Sequence, residues 1–105
     1  MKHYLCLLLA LAGQDLNGYG LVQAISERTS GLVVLDPGNL YRVIKRLLAD
    51  GLIAESVREA NDAGERRKYY RITPLGGRVL TQELQRLRRL VGATSTREAV
   101  RRWTS

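Results

Sequence analysis

The 105-residue chain is poor in the side chains that do chemistry. It holds one cysteine, Cys6, one histidine, His3, and no phenylalanine. A lone cysteine closes no internal disulfide, which excludes a secreted mini-domain stapled by disulfides. One cysteine and one histidine do not make a zinc site. No Gly-x-x-x-x-Gly-Lys loop is present to cradle a nucleotide phosphate. Carboxylates are few and fall mostly in caps, turns and exposed faces, and Asp36 reads as a helix cap rather than a general base. These absences argue against an enzyme, a metal centre and a cofactor. No apolar run reaches the ~20 residues that a membrane span needs.

What is present is positive charge. Seventeen basic residues stand against ten acidic ones, a net charge of +7 and a pI near 10.2. In so small a domain this balance points to a polyanion, nucleic acid before a membrane surface. The excess is uneven. Residues 1–36 sum to −1, residues 37–73 to +3 and residues 74–105 to +5.

Caps and glycines divide the chain into elements. An apolar segment over residues 3–12 ends at Gly13. Asn17 is suited to cap a second helix, because its side-chain oxygen can accept an orphan N–H of the first turn. Thr29-Ser30-Gly31 stops that helix, with Gly31 as the left-handed terminator. Leu32 to Leu35 reads as a short buried strand. Asp36-Pro37 opens a third helix, which Gly51 closes. Its apolar stripe is Leu40, Ile44, Leu47 and Leu48. Leu52 to Arg58 and Arg67 to Thr73 read as a β-hairpin around a polar tip at residues 59–65. Tyr70 and Ile72 share one of its faces. Thr73-Pro74 starts a fourth helix, with a heptad-like seam of Leu80, Leu84, Leu87 and Val91. Ser95 and Glu98 form a capping box for a short last helix near Trp103.

This order predicts a mainly α fold with a small β-hairpin: a winged helix-turn-helix over residues 1–73, then a C-terminal helical segment over 74–105. A recognition helix needs a buried stripe and, near its N-terminus, donors that reach base edges. The third helix supplies Asn39, Tyr41, Arg42, Lys45 and Arg46. Arginine can bind guanine with two hydrogen bonds and asparagine adenine. The hairpin adds Arg66, Arg67 and Lys68, placed to follow a DNA backbone.

These segments resemble the PadR family of bacterial transcriptional regulators over residues 3–91. The carriers are LLLALAG, NGYGLVQAI, PGNLYRVIKRLLADGLI and RRKYYRITPLGGRVL. The resemblance implies a homodimer on a pseudo-palindromic operator in double-stranded DNA, acting as a repressor. It also implies release by a small hydrophobic or aromatic effector. Pro37, Gly38, Asn39, Leu40 and Tyr41 match the recognition-helix motif. Gly18 and Tyr19 match the start of the second helix, where a phosphate is approached. The dimer would form through the C-terminal helix, with Leu80, Leu84, Leu87, Leu90 and Val91, and through the first helix, with Leu5 and Leu8.

The sequence departs from the family pattern in places. Asn17 stands where histidine is usual and Asn39 where threonine is usual, which bears on operator preference. Pro74 and Gly77 weaken the start of the fourth helix. The chain resembles the compact subgroup with a single dimerisation helix. MKHYLCLLLALAG has the features of a signal peptide, yet in this fold it is the first helix, of a cytoplasmic protein. Trp103 packs on the dimer, walls an effector cavity between protomers, or belongs to a disordered tail. The rival reading is a winged-helix protein-interaction module or a nonspecific architectural DNA binder.

Overall fold

The most apolar segment of the chain lies at the centre of the molecule. The structure, a computed structural model, describes residues 3–59 and 63–104. It contains α1 (His3–Gly13), β1 (Leu16–Asn17), α2 (Gly18–Arg28) and α3 (Pro37–Ala49). The hairpin β2 (Ile53–Glu59) and β3 (Arg66–Ile72) follows, then α4 (Pro74–Gly92) and α5 (Thr94–Thr104). Asp62, expected at the hairpin tip, lies outside the described residues.

Helix α1 is apolar on nearly every side, and such a helix belongs in an interior. Leu7 and Leu8 are fully buried and Leu11 nearly so. Leu21 and Ile25 of α2, Leu40, Ile44 and Leu47 of α3, and Ile53, Tyr70 and Leu80 complete the core. The expected stripe of α3 is thus its buried face, with Leu48 at the margin.

The caps of α2 and α3 form as the sequence predicts. The Asn17 Oδ1 accepts the Gly20 N–H at 2.8 Å, and the Asp36 Oδ1 accepts the Asn39 N–H at 2.9 Å. Helix α3 ends in a Schellman motif: the N–H of Gly51 donates to Leu48 O and that of Leu52 to Leu47 O. Gly51 has the positive φ, 73°, that this ending demands. Helix α2 ends in the same motif, Ser30 N–H to Glu27 O and Gly31 N–H to Ser26 O. There the left-handed residue after the C-cap is Ser30, at φ 54°, ahead of Gly31 at φ 81°.

The sheet corrects one expectation. Leu32 to Leu35 is not a strand. Leu32 and Val34 are exposed and only Leu35 is firmly buried. Leu35 precedes the cap of α3 and Leu40 lies in its first turns, the spacing of a hydrophobic staple. This apolar run therefore provides one buried leucine at the cap and Val33 partly packed against the core. The third strand is β1, and the sheet order is β1-β3-β2, all antiparallel. Leu16 pairs with Tyr70 and Asn17 with Tyr69. A cap residue has extended backbone, here φ −84° and ψ 177°, so Asn17 can cap a helix and pair with a strand at once.

Helix α4 changes role along its length. Thr73 caps it, accepting the Gly76 N–H at 3.0 Å, and donates its own hydroxyl to Gly51 O at 2.6 Å. Gly76 and Leu80 are buried; Leu84, Leu90 and Val91 stand exposed and Leu87 is half-buried. The first two turns therefore pack on the body of the protomer, and the burial along α4 ends after Leu80. Two residues expected at a dimer interface, Leu8 and Leu80, are already enclosed within the protomer, so neither is available to a partner. The last helix begins earlier than expected: the Arg97 N–H bonds Ala93 O, which puts Ser95 inside the first turn instead of at the cap. No residue of α5 is buried, and Trp103 is exposed.

Gly76 sits where a side chain has no room. A Cβ there would lie 2.0 Å from Leu52 O and 2.9 Å from the Ile72 Cγ1. Gly76→Ala should lower stability by about 1–3 kcal/mol, the scale of core overpacking. Gly77 has nothing within 4 Å of the same position, so Gly77→Ala should stabilise by up to ~1 kcal/mol through helix propensity. Urea unfolding of both variants at one protein concentration checks the pair. Equal effects would refute the packing account.

Candidate nucleic-acid interface

Three elements meet around an open groove of about 800 Å³. Leu35, Leu40, Ile44 and Tyr70 lie along it, with Tyr19 at the start of α2, Tyr41 on α3, and Arg67 and Lys68 on β3. Tyr19 and Tyr41 are both about two-thirds exposed, at 69% and 67%. An adjoining groove of about 440 Å³ is lined by Gly38, Tyr41, Arg42, Lys45 and Lys68, among others. Tyr41 and Lys68 border both.

The burial pattern of α3 dictates this arrangement. Leu40, Ile44 and Leu47 fix one face in the core, which turns Tyr41, Arg42 and Lys45 outward. Strand alternation places Lys68 and Tyr70 on one face of β3 and Arg67 and Tyr69 on the other. Arg42, Lys45 and Lys68 make no ion pair among the described residues, so their charge is offered to solvent.

Other expected contacts are placed differently. Arg46 pairs with Asp50 one turn on, at 3.2 Å. Arg66 stands opposite Glu59 in the ladder. Arg46 and Arg66 line neither groove. Asn39 is half-buried and donates from its Nδ2 to the Asp36 Oδ2 at 2.9 Å, so one amide N–H serves the cap.

The two helix N-termini facing the grooves differ in electrostatics. Helix α3 starts with a carboxylate, Asp36, and with Pro37, which has no N–H. That end is already neutralised, and a phosphate there would meet a like charge. Helix α2 has a neutral cap, and no acidic residue lies in its first turn. Asn17 takes the Gly20 N–H and leaves those of Gly18 and Tyr19 without intrahelical acceptors. This end suits an anion better.

Tyr70 holds its proton more firmly than an ordinary tyrosine. Burial is the main cause, with Glu55 and Tyr41 nearby adding to it.

Sequence reasoning missed several contributors. Val22 and Ile44 line the groove, but on a sequence they read simply as core. Arg58 bonds Asp15 across the fold, and no local pattern announces a partner that far away.

The comparisons with known proteins bear on the family and the fold. The model of the PadR-like family of transcriptional regulators matches residues 7–82. A transcriptional regulator of Mycobacterium tuberculosis, Rv3488, is 37% identical over 75% of this chain and 69% of its own. The chain spans 62% to 69% of the length of the curated relatives it matches. A transcriptional regulator from Clostridium thermocellum has the same fold with a TM-score of 0.75, 26% identity, and coverage of 99% and 94% of the two chains. Bacillus subtilis PadR, solved in complex with operator DNA, superposes with a TM-score of 0.68 at 21% identity, over 78% of this chain and 46% of its own. The matched residues run from the core helix through the head and hairpin into α4, and the chain belongs to the PadR-like family of transcriptional regulators.

Proposed function

We propose that the chain is a homodimeric, sequence-specific DNA-binding regulator that represses by occupying a pseudo-palindromic operator. One observation carries this reading: the free cations of α3 and β3 and the exposed tyrosines of α2 and α3 border one continuous pair of grooves. In this reading α3 enters the major groove, Arg42 and Tyr41 reach base edges, and Lys45 and Lys68 meet phosphates. The Bacillus subtilis family member was solved on operator DNA, and that supports the same use here. The role is that of a regulator and not of an enzyme, and it is exercised in the cytoplasm.

The second protomer would cover the apolar residues that the first leaves open: Leu5, Leu84, Leu87, Leu90 and Val91. Two heads so joined would meet half-sites about 10 base pairs apart, one turn of the duplex. A small hydrophobic or aromatic effector would enter between protomers beside Trp103 and release DNA by changing the spacing of the heads.

Fluorescence anisotropy tests the DNA reading. The duplex upstream of the protein's own gene and a scrambled duplex are titrated at two salt concentrations. Selective binding with two protomers per site is expected, falling steeply as salt rises. Arg42→Ala should cost about 1–3 kcal/mol and erode selectivity. Lys68→Ala should weaken both duplexes alike and reduce the salt slope by about one. Equal binding to both duplexes by the wild type would favour a nonspecific binder or an acidic protein partner instead.

The effector arm has its own readout. A hydrophobic compound that releases the operator should shift the emission of Trp103, the only tryptophan. Release with unchanged emission would argue against a cavity at that residue.

A further inference from the structure

The cations of the hairpin are not equivalent. Four ion pairs occur among the described residues, and three of them join residues within four positions of each other. The fourth joins Arg58 of β2 to Asp15 in the α1–β1 turn, Nη2 to Oδ2 at 2.5 Å. The same guanidinium lies 5.1 Å from the centroid of the Tyr69 ring, and its Nε donates to the Ser56 Oγ at 3.2 Å. Arginine offers a planar fork and a stacking face, and here the fork and the face are both engaged. Arg58 is held by the protein, whereas Lys68 is free.

Its position in the ladder gives this contact a purpose. Strand β1 covers β3 only at Tyr69 and Tyr70. Beyond them the hairpin is a two-stranded ribbon, and such ribbons are marginal alone and twist readily. Arg58 stands opposite Arg67, just past the end of the β1 ladder. The bond to Asp15 is the one ion pair among the described residues that ties this ribbon to the helical body.

We infer that Arg58 is a positioning residue for DNA binding, held by Asp15 and Tyr69 so that the ribbon presents Arg67 and Lys68 at the groove beside α3. The inference rests on the DNA-binding reading above. It also accounts for an acidic residue so close to a cationic surface. Charge alone says that removing Asp15 should tighten binding to a polyanion. Positioning says that selective binding should weaken. The two accounts differ in sign.

Asp15→Asn, Arg58→Ala and the exchanged pair Asp15→Arg/Arg58→Asp would be compared with the wild-type chain. Without DNA, hydrogen exchange of the hairpin amides between Val57 and Lys68 should quicken in both single variants, while that of α1 stays unchanged. Unchanged exchange in the hairpin would overturn the inference. With DNA, Asp15→Asn should weaken binding to the upstream duplex roughly three- to five-fold, the upper range for an exposed pair. Its binding to the scrambled duplex should hold or tighten. The exchanged pair should recover selectivity. Tighter selective binding by Asp15→Asn would overturn the inference. So would a salt slope reduced by about one in Arg58→Ala, the mark of a direct phosphate contact. Equal binding of both duplexes by the wild type would remove the DNA reading and this role with it, a failure distinct from unchanged selectivity in the variants alone.

Discussion

The backbone carbonyl of Leu52 is the point on which the fold turns. It accepts the N–H of Thr73 at 3.0 Å, while the Leu52 N–H closes the end of α3. Thr73 in turn bonds Gly51 and caps α4. The end of α3, the start of β2, the end of β3 and the start of α4 therefore share a few backbone atoms. The next pair outward is Ile53 with Ile72, so this junction also sets the register of the hairpin. A slip of one residue would turn Tyr70 out of the core and Arg71 into it. Only a residue without a Cβ fits at position 76, because the first turn of α4 lies directly on that carbonyl. The weak helix start that Pro74 and Gly77 suggest is thus only half the story: Pro74 occupies a position where its missing N–H costs nothing, and Thr73 supplies the cap.

Features that were legible in the sequence are local in chemistry. Asn17, Asp36 and Thr73 each bond an N–H three residues ahead, so identity and spacing alone announce them. The stripe of α3 was legible for the same reason. Leu32 to Leu35 misled because four apolar residues in a row look like a strand whether or not a neighbouring strand is free to pair. The place beside β3 is held by Leu16 and Asn17, two residues with no strand-like pattern. The ion pair of Asp15 with Arg58 was invisible because its partners meet only after the sheet has formed.

The seam of α4 shows how one periodicity can hide two environments. Leu80, Leu84, Leu87 and Val91 repeat evenly, yet Leu80 faces the core while Leu84 and Val91 face solvent. Periodicity identifies a shared helix face, and only the fold shows where the body beneath that face ends. Leu8 carries the same lesson in α1: on a helix apolar all round, spacing does not say which leucines the protomer itself encloses. The same holds for charge. Arg42, Lys45, Arg46 and Arg58 count equally toward the net charge, but Asp50 holds Arg46 and Asp15 holds Arg58.

Asn17 belongs to two structures at once, as the last residue of β1 and the cap of α2. The hairpin and the second helix are therefore joined through one residue's backbone and side chain. No linker lies between β1 and α2, so these two parts of the head are joined directly. The conformational entropy of bringing them together is lost when the chain folds and not when a ligand arrives. A surface prepared in this way meets its partner preorganised, and more of the contact energy remains available as affinity.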